Sequence, residues 1–292
     1  MNTQTPTPTL SLRESNEYIN RLVRADAPFF IARLSDIETK VALYGTNHPG
    51  AIAVLSNNAG IYTRSTSDIA LYSRIYNDAV RNSTHIACFP SLYTHEQNHW
   101  LSTKGLTAGL DYRVLEPFYI TEGGEGVEGA EVPWTHLFAG RRILIVSPFA
   151  TTFERQVKSG FKFGNVFADG QEFVFYRAYN TQAGNHTHRN WFETFSVMCK
   201  DIAAIHATTP FDIALLSCGG YGLPLANYIY KRLGKSAMYV GGGLQLLFGV
   251  LGKRWENHTI IRRVSTTVPG WVRPAPEEVP TNSVSIEGGC YW

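Results

Sequence analysis

The sequence has almost no excess of charge of either sign: lysine plus arginine number 26 against 24 aspartates plus glutamates, a formal balance of +2. That balance gives no ground for a nucleic-acid coat or a general membrane-surface binder, so an anionic ligand has to be met locally. Cysteine is scarce as well. Cys88, Cys199, Cys218 and Cys290 lie far apart and form no CxxC pair, which excludes a zinc knuckle by spacing and points to free thiols in a reducing compartment. No uncharged apolar run reaches about 18 residues, so no transmembrane span is expected. The opening MNTQTPTPTL lacks a basic stretch followed by an apolar one, so no secretory signal is expected either. A cytoplasmic protein is the consequent expectation, and no internal repeat is visible.

What is present is a chain of 292 residues, long enough for a substantial core. Residues 1–10 are Thr/Pro-rich and read as a disordered tail. SLRE at 11–14 is a capping box that opens a helix carrying Leu12, Ile19, Leu22 and Val23 on one face, ended by Pro28. PFFIARL then has the continuous apolar character of a strand covered on both sides. A helix after Ser35 buries Ile37, Val41 and Tyr44. Ser67 or Asp68 caps a helix with Ile69, Tyr72, Ile75, Tyr76, Ala79 and Val80 at a 3.6 period, and THIACFP is the next strand. The pattern weakens over 91–135, where the glycine- and glutamate-rich TEGGEGVEGAE is loop; this stretch reads as an insertion or a lid. Order returns with a strand over Arg142–Val146, a helix from Thr152, and a strand over 172–178. A helix bearing Phe192, Phe195, Cys199, Ile202 and His206 follows. FDIALLSC, the GGYG turn, the helix LPLANYIYKRL and the strand SAMYV then lead into Gly241–Gly243. Strands alternating with helices imply a single large α/β domain over 11–268, Rossmann-like, with a mostly parallel sheet and helices on both faces. Residues 269–292 read as a C-terminal surface extension.

In such a sheet, ligands sit outside the carboxyl ends of the strands. Asp36, Gly219 to Gly222 and Gly241 to Gly243 all fall at such ends. Asp36 and Glu38 are two apart, which places them on one face of a strand but about 200° apart on a helix. SDIE is also a capping box, with acids that complement the helix dipole, and that bland reading is the stronger one locally. Arg33 is either a partner for these acids or a phosphate ligand. Gly220-Tyr221-Gly222 begins like G-x-G-x-x-G but lacks the third glycine, and no acid for a ribose follows SAMYV, so no NAD site is expected. Tight turns alone account for about half of these glycines. HEQNH at 95–99 matches the zinc-protease pattern formally, which keeps a metal-dependent hydrolase using His95, Glu96 and His99 as an alternative. Its polar flanks favour a solvent-facing segment, and no zinc is expected. His186 and His188 fall in a polar surface loop. Lys253 and Arg254 follow the triple glycine closely enough to return to the strand ends and meet a diphosphate.

The segment Arg33-Leu34-Ser35-Asp36-Ile37-Glu38, with LSNNAGIY at 55–62, PWTHLFAGRRILIVSPF at 133–149 and the block FDIALLSC through GKRW, resembles the GT-D type glycosyltransferases, a family first defined as a domain of unknown function. Its signature is a strand running into an R-x-G-D-G-E-like segment, the DxE motif; Ser35 and Ile37 stand here where the family has glycines. The resemblance implies transfer of a sugar from a nucleotide-diphosphate donor to a glycan or glycoconjugate acceptor. It implies that Asp36 and Glu38 lie by the donor as the catalytic pair and hold a divalent cation, Mn or Mg. It places Arg33, Ser35, Asn58, Gly219, Gly220, Tyr221, Gly222, Gly242, Gly243, Gln245, Lys253 and Arg254 around that donor. A non-catalytic nucleotide- or glycan-binding protein of the same fold is the other alternative.

Overall fold

Along each central strand, consecutive apolar residues go to opposite faces. Phe30 and Ala32, Leu144 and Val146, Ala214 and Leu216, and Ala237 and Tyr239 belong to one buried cluster, while Ile31, Ile143, Ile145, Ile213, Leu215, Met238 and Val240 belong to another. That is why these strands read as unbroken apolar runs: a parallel sheet covered on both sides has no face to leave polar. A computed structural model describes residues 6–47, 50–122 and 132–292, together with the backbone but not the side chain of Ala51.

The elements run in the order α1 (Leu12–Arg24), β1 (Phe30–Arg33), α2 (Asp36–Tyr44), α3 (Ala51–Ala59), α4 (Thr66–Asn82), β2 (His85–Cys88), α5 (Thr94–Thr103), β3 (Leu110–Asp111) and α6 (Phe118–Thr121). They continue with β4 (Arg142–Ser147), α7 (Ala150–Lys158), β5 (Glu172–Arg177), α8 (Trp191–Thr208), β6 (Ile213–Leu216), α9 (Gly222–Leu233), β7 (Ser236–Tyr239) and α10 (Thr259–Thr267). The strands form one sheet in the order β3-β2-β1-β7-β6-β4-β5, and every pairing is parallel. One cluster packs under α2, α4, α8 and α9, the other under α1, α7 and α10. This is a single α/β domain of Rossmann-like design. β4 leads outward to β5, whereas β6 leads back to β7, so the chain diverges beyond their carboxyl ends and opens a crevice there.

Several local expectations change. The capping box at Ser11 forms, with Glu14 returning the bond, but α1 ends at Arg24, before Pro28. The cap of α4 is Ser65, which accepts from the Asp68 amide, two residues earlier than expected. Tyr44 is exposed rather than buried, because α2 reaches the surface in its last turn. Residues 1–5 lie outside the described residues. Residues 6–10 are held in place, against the expectation of a disordered tail: Thr7 is buried, its amide donates to the Pro90 carbonyl at 3.0 Å, and the Leu10 amide donates to Gly109 at 2.8 Å.

The 91–135 stretch is not an added lid where it is described. It supplies the edge strand β3, and the buried Gln97 of α5 ties the turn after β2 together, bonding Phe89 and Leu92. Residues 123–131, most of TEGGEGVEGAE, lie outside the described residues. The tail after Pro269, expected on the surface, enters the core: Ile286 and Glu278 are buried.

Candidate functional site

β1 ends at Arg33, Leu34 is fully buried, and Ser35 is extended (φ −112°, ψ 162°) before α2 begins at Asp36. Ser35 thus occupies the N-cap position, as the cap reading required, but its hydroxyl makes no capping bond. The reciprocal half of the box is replaced by burial: Glu38 is 7% exposed. Burial pushes its carboxyl above the ordinary range, opposed by its own amide and by the charge of Arg33. Asp36 stays nearer solvent and pairs with Lys40 one turn on, at 2.5 Å. Although both acids stand in a helix, they line one cavity of about 340 Å³, because it wraps around the first turn of α2 at the end of β1.

That cavity lies over the carboxyl ends of β1, β7, β6 and β4, which contribute Arg33, Tyr239, Ser217 and Pro148. Arg33 is its main cation. Its guanidinium lies 5.0 Å from the Phe89 ring centroid and 6.0 Å from that of Tyr239, and among the described residues it forms no ion pair and no side-chain hydrogen bond. Gly241 (φ +81°) lets the chain pass over it, since a Cβ there would come within 2.5 Å of the guanidinium. Tyr93, also on the cavity wall, sits in the left-handed region at φ 53°, a conformation uncommon for a bulky residue and worth noting at a site.

Of the residues singled out in the sequence, Arg33, Ser35, Asp36, Glu38, Asn58, Gly219, Gly242 and Arg254 come together on this cavity. The others stand behind it. Gly220 is packed on Ile61 and Gly222 on the Tyr239 ring, each with no room for a Cβ. Tyr221 is buried, stacked on Trp191 and bonded to Thr181 at 2.9 Å. Gly243 lies on the Glu116 carboxylate. Gln245 is fully buried and donates to Val250 at 3.1 Å, while Lys253 points to solvent.

Sequence reasoning missed Asn180 and Gln182, which follow β5, and Glu287, Tyr291 and Trp292 from the tail. The first two had a signal, a polar cluster just past a strand; the tail had none. Arg254 pairs with Glu287 at 2.5 Å and lies over the Tyr291 ring at 4.4 Å, so the tail forms a wall of the cavity.

The HEQNH segment is helical, and its solvent-facing reading holds for only part of it. His95 and His99 are exposed, but Glu96 and Gln97 are buried. His95 stacks on Tyr44 and His99 meets the edge of Trp100. Among the described residues no three histidine, cysteine or acidic side chains converge as metal ligands. His186 lies in the exposed loop after β5, stacked on Tyr62.

No described helix is long and apolar enough to cross a membrane. No family model matches the chain, and no curated protein matches it in sequence. A solved structure described as a new glycosyltransferase (DUF1792) from Streptococcus sanguinis is similar over 81% of each chain, at 17% identity and a TM-score of 0.41. A likeness that loose says nothing of activity.

Proposed function

We propose that the chain is a glycosyltransferase that moves a sugar from a nucleoside-diphosphate donor to a glycan or glycoconjugate acceptor. One observation carries the reading: Arg33, a guanidinium with no ion pair among the described residues, faces the same cavity as the carboxylates of Asp36 and Glu38. A guanidinium held between aromatic rings with its donors free is suited to phosphate oxygens. Two carboxylates beside a diphosphate repel it unless a cation lies between them.

The donor set fits a magnesium- or manganese-like ion. Such an ion is held by one or two carboxylates together with substrate phosphates and waters, and needs no third protein ligand. Asp36 and Glu38 would hold it, and it would stabilise charge on the departing diphosphate. Glu38 gives this a physical basis, because a buried carboxylate whose ionisation is disfavoured is relieved by a cation. In the transfer, the bond from the anomeric carbon to the phosphate oxygen breaks and leaves its electron pair on the diphosphate. The acceptor oxygen forms the new bond, and its proton passes to a carboxylate of the site or to water. Arg33 and Arg254 orient the diphosphate, and Tyr239 and Phe89 hold Arg33 in place.

A thermal-shift panel of nucleoside diphosphates and sugar nucleotides, with and without manganese, tests the proposal. Stabilisation by a nucleoside diphosphate is expected, larger with manganese and absent in Asp36→Ala and Glu38→Ala. Stabilisation that both variants retain would remove these residues from the site. Stabilisation with no slow hydrolysis of any sugar nucleotide would favour a binding protein over a transferase.

A further inference from the structure

A second groove, of about 540 Å³, adjoins the first and shares Pro148 and Asn180 with it. It runs past the end of β5 and is roofed by residues 277–281 of the tail. The two cavities differ in chemistry. The first presents Arg33 without an ion pair; around the second, Arg155 and Arg177 equal Glu277 and Glu278 in number. Glu277 pairs with Arg155 at 2.8 Å, and Arg177 donates to the Glu277 carbonyl. The buried Glu278 carboxylate accepts from the amides of Thr151 and Thr152, at 2.9 and 3.2 Å, and from the Thr152 hydroxyl.

Beside the exposed Arg177, what remains for a ligand is uncharged. Asn180 offers a carboxamide, Tyr179 a phenol, and His186 a ring stacked on Tyr62 at 3.8 Å and 11°. Burial lowers the His186 pKa, which keeps that ring neutral at neutral pH. The groove is also held in shape: Asn185 donates to the Gln182 and Thr281 carbonyls at 2.7 and 2.9 Å and accepts from the Thr281 amide at 3.1 Å. Planar rings beside an amide, with no net charge to satisfy, suit a polyhydroxylated ring with apolar C–H faces and many hydroxyls.

We propose that this groove is the acceptor site and that it takes a neutral saccharide, presenting one of its hydroxyls toward the donor cavity at the Pro148–Asn180 boundary. The inference rests on the transferase reading for the word acceptor, but the saccharide site can be tested apart from it. The probes are methyl glycosides of glucose, galactose, N-acetylglucosamine and rhamnose, with methyl glucuronide as the anionic control, followed by saturation-transfer NMR on the full chain at millimolar ligand. His186 is exposed and makes no side-chain hydrogen bond to the described residues, so His186→Ala leaves the fold in place, as its thermal melt will verify.

At least one neutral glycoside is expected to give transfer that falls several-fold in His186→Ala, while stabilisation by a nucleoside diphosphate with manganese is unchanged. If no neutral glycoside gives transfer, if the signal survives the substitution, or if the glucuronide binds better, the groove is not a neutral saccharide site. If the glycoside result holds but no nucleoside diphosphate stabilises the protein, the groove stands and the transferase reading fails.

Discussion

Arg254 and Glu287 form a 2.5 Å ion pair on the wall of the candidate donor cavity, joining the segment after β7 to the C-terminal tail. Both side chains keep partial solvent contact, 32% and 45% exposed, so the pair adds little to stability. Its effect on ligand binding is larger, because the carboxylate occupies a donor that a phosphate would use. Glu287→Gln is therefore expected to change stability by less than about 1 kcal/mol and to tighten nucleoside-diphosphate binding a few-fold by calorimetry. Weaker binding in the variant would mean that Glu287 assists the ligand rather than competing with it.

Arg33 is the cavity cation that lies between the Phe89 and Tyr239 rings. Lysine in its place keeps the charge but loses the planar fork and the contacts with Phe89 and Tyr239. Arg33→Lys should weaken nucleoside-diphosphate binding by at least tenfold, about 1.4 kcal/mol, with little change in melting temperature. Unaltered affinity would move the phosphate elsewhere in the cavity.

Much of this arrangement was legible in the sequence, and the reasons differ by element. β4 and β6 announce themselves because both faces of the sheet are buried, and the rule that ligands gather at strand carboxyl ends brought Asp36, Gly219 and Gly242 to one place. The SDIE cap reading placed the start of α2 correctly, yet it could not show that Glu38 turns inward, since that depends on distant residues such as Tyr72, Tyr76 and Tyr239. β3 is two residues long and has no period to detect. Gly220, Gly222 and Gly243 were candidates for ligand contact, whereas their lack of a Cβ serves packing on Ile61, Tyr239 and Glu116. The tail residues that complete the cavity are more than 240 positions from Asp36 and Glu38, and nothing in a local pattern carries that contact.

Gly222 gives a direct test of the packing role. A Cβ at this position would fall within the Tyr239 ring, whose hydroxyl donates to the Gly219 carbonyl at 3.1 Å and whose face lies near Arg33. Gly222→Ala is expected to cost roughly 1–3 kcal/mol through overpacking and to weaken donor binding as Tyr239 shifts. Denaturant unfolding and calorimetry measure the two effects. A variant as stable as the parent would show that the ring has room to move.

Glu116 contributes a pH dependence of its own. Its carboxyl is 7% exposed, has no hydrogen bond or ion pair among the described residues, and lies beneath Gly243. Burial raises its pKa from 4.5 to about 7, partly offset by the charges of Arg33 and Arg254. A group that holds its proton more tightly when folded supports the fold fully below pH 4.5, and that support is lost as pH rises toward 7. Glu116→Gln keeps the shape and removes the titration. Its stability relative to the parent should therefore rise between pH 5 and pH 8, by roughly 3 kcal/mol at most, given about 1.4 kcal/mol per unit. Urea unfolding of both proteins at the two pH values reads the difference directly. A constant difference would mean that Glu116 titrates alike in the folded and unfolded chains and that its burial is relieved by water.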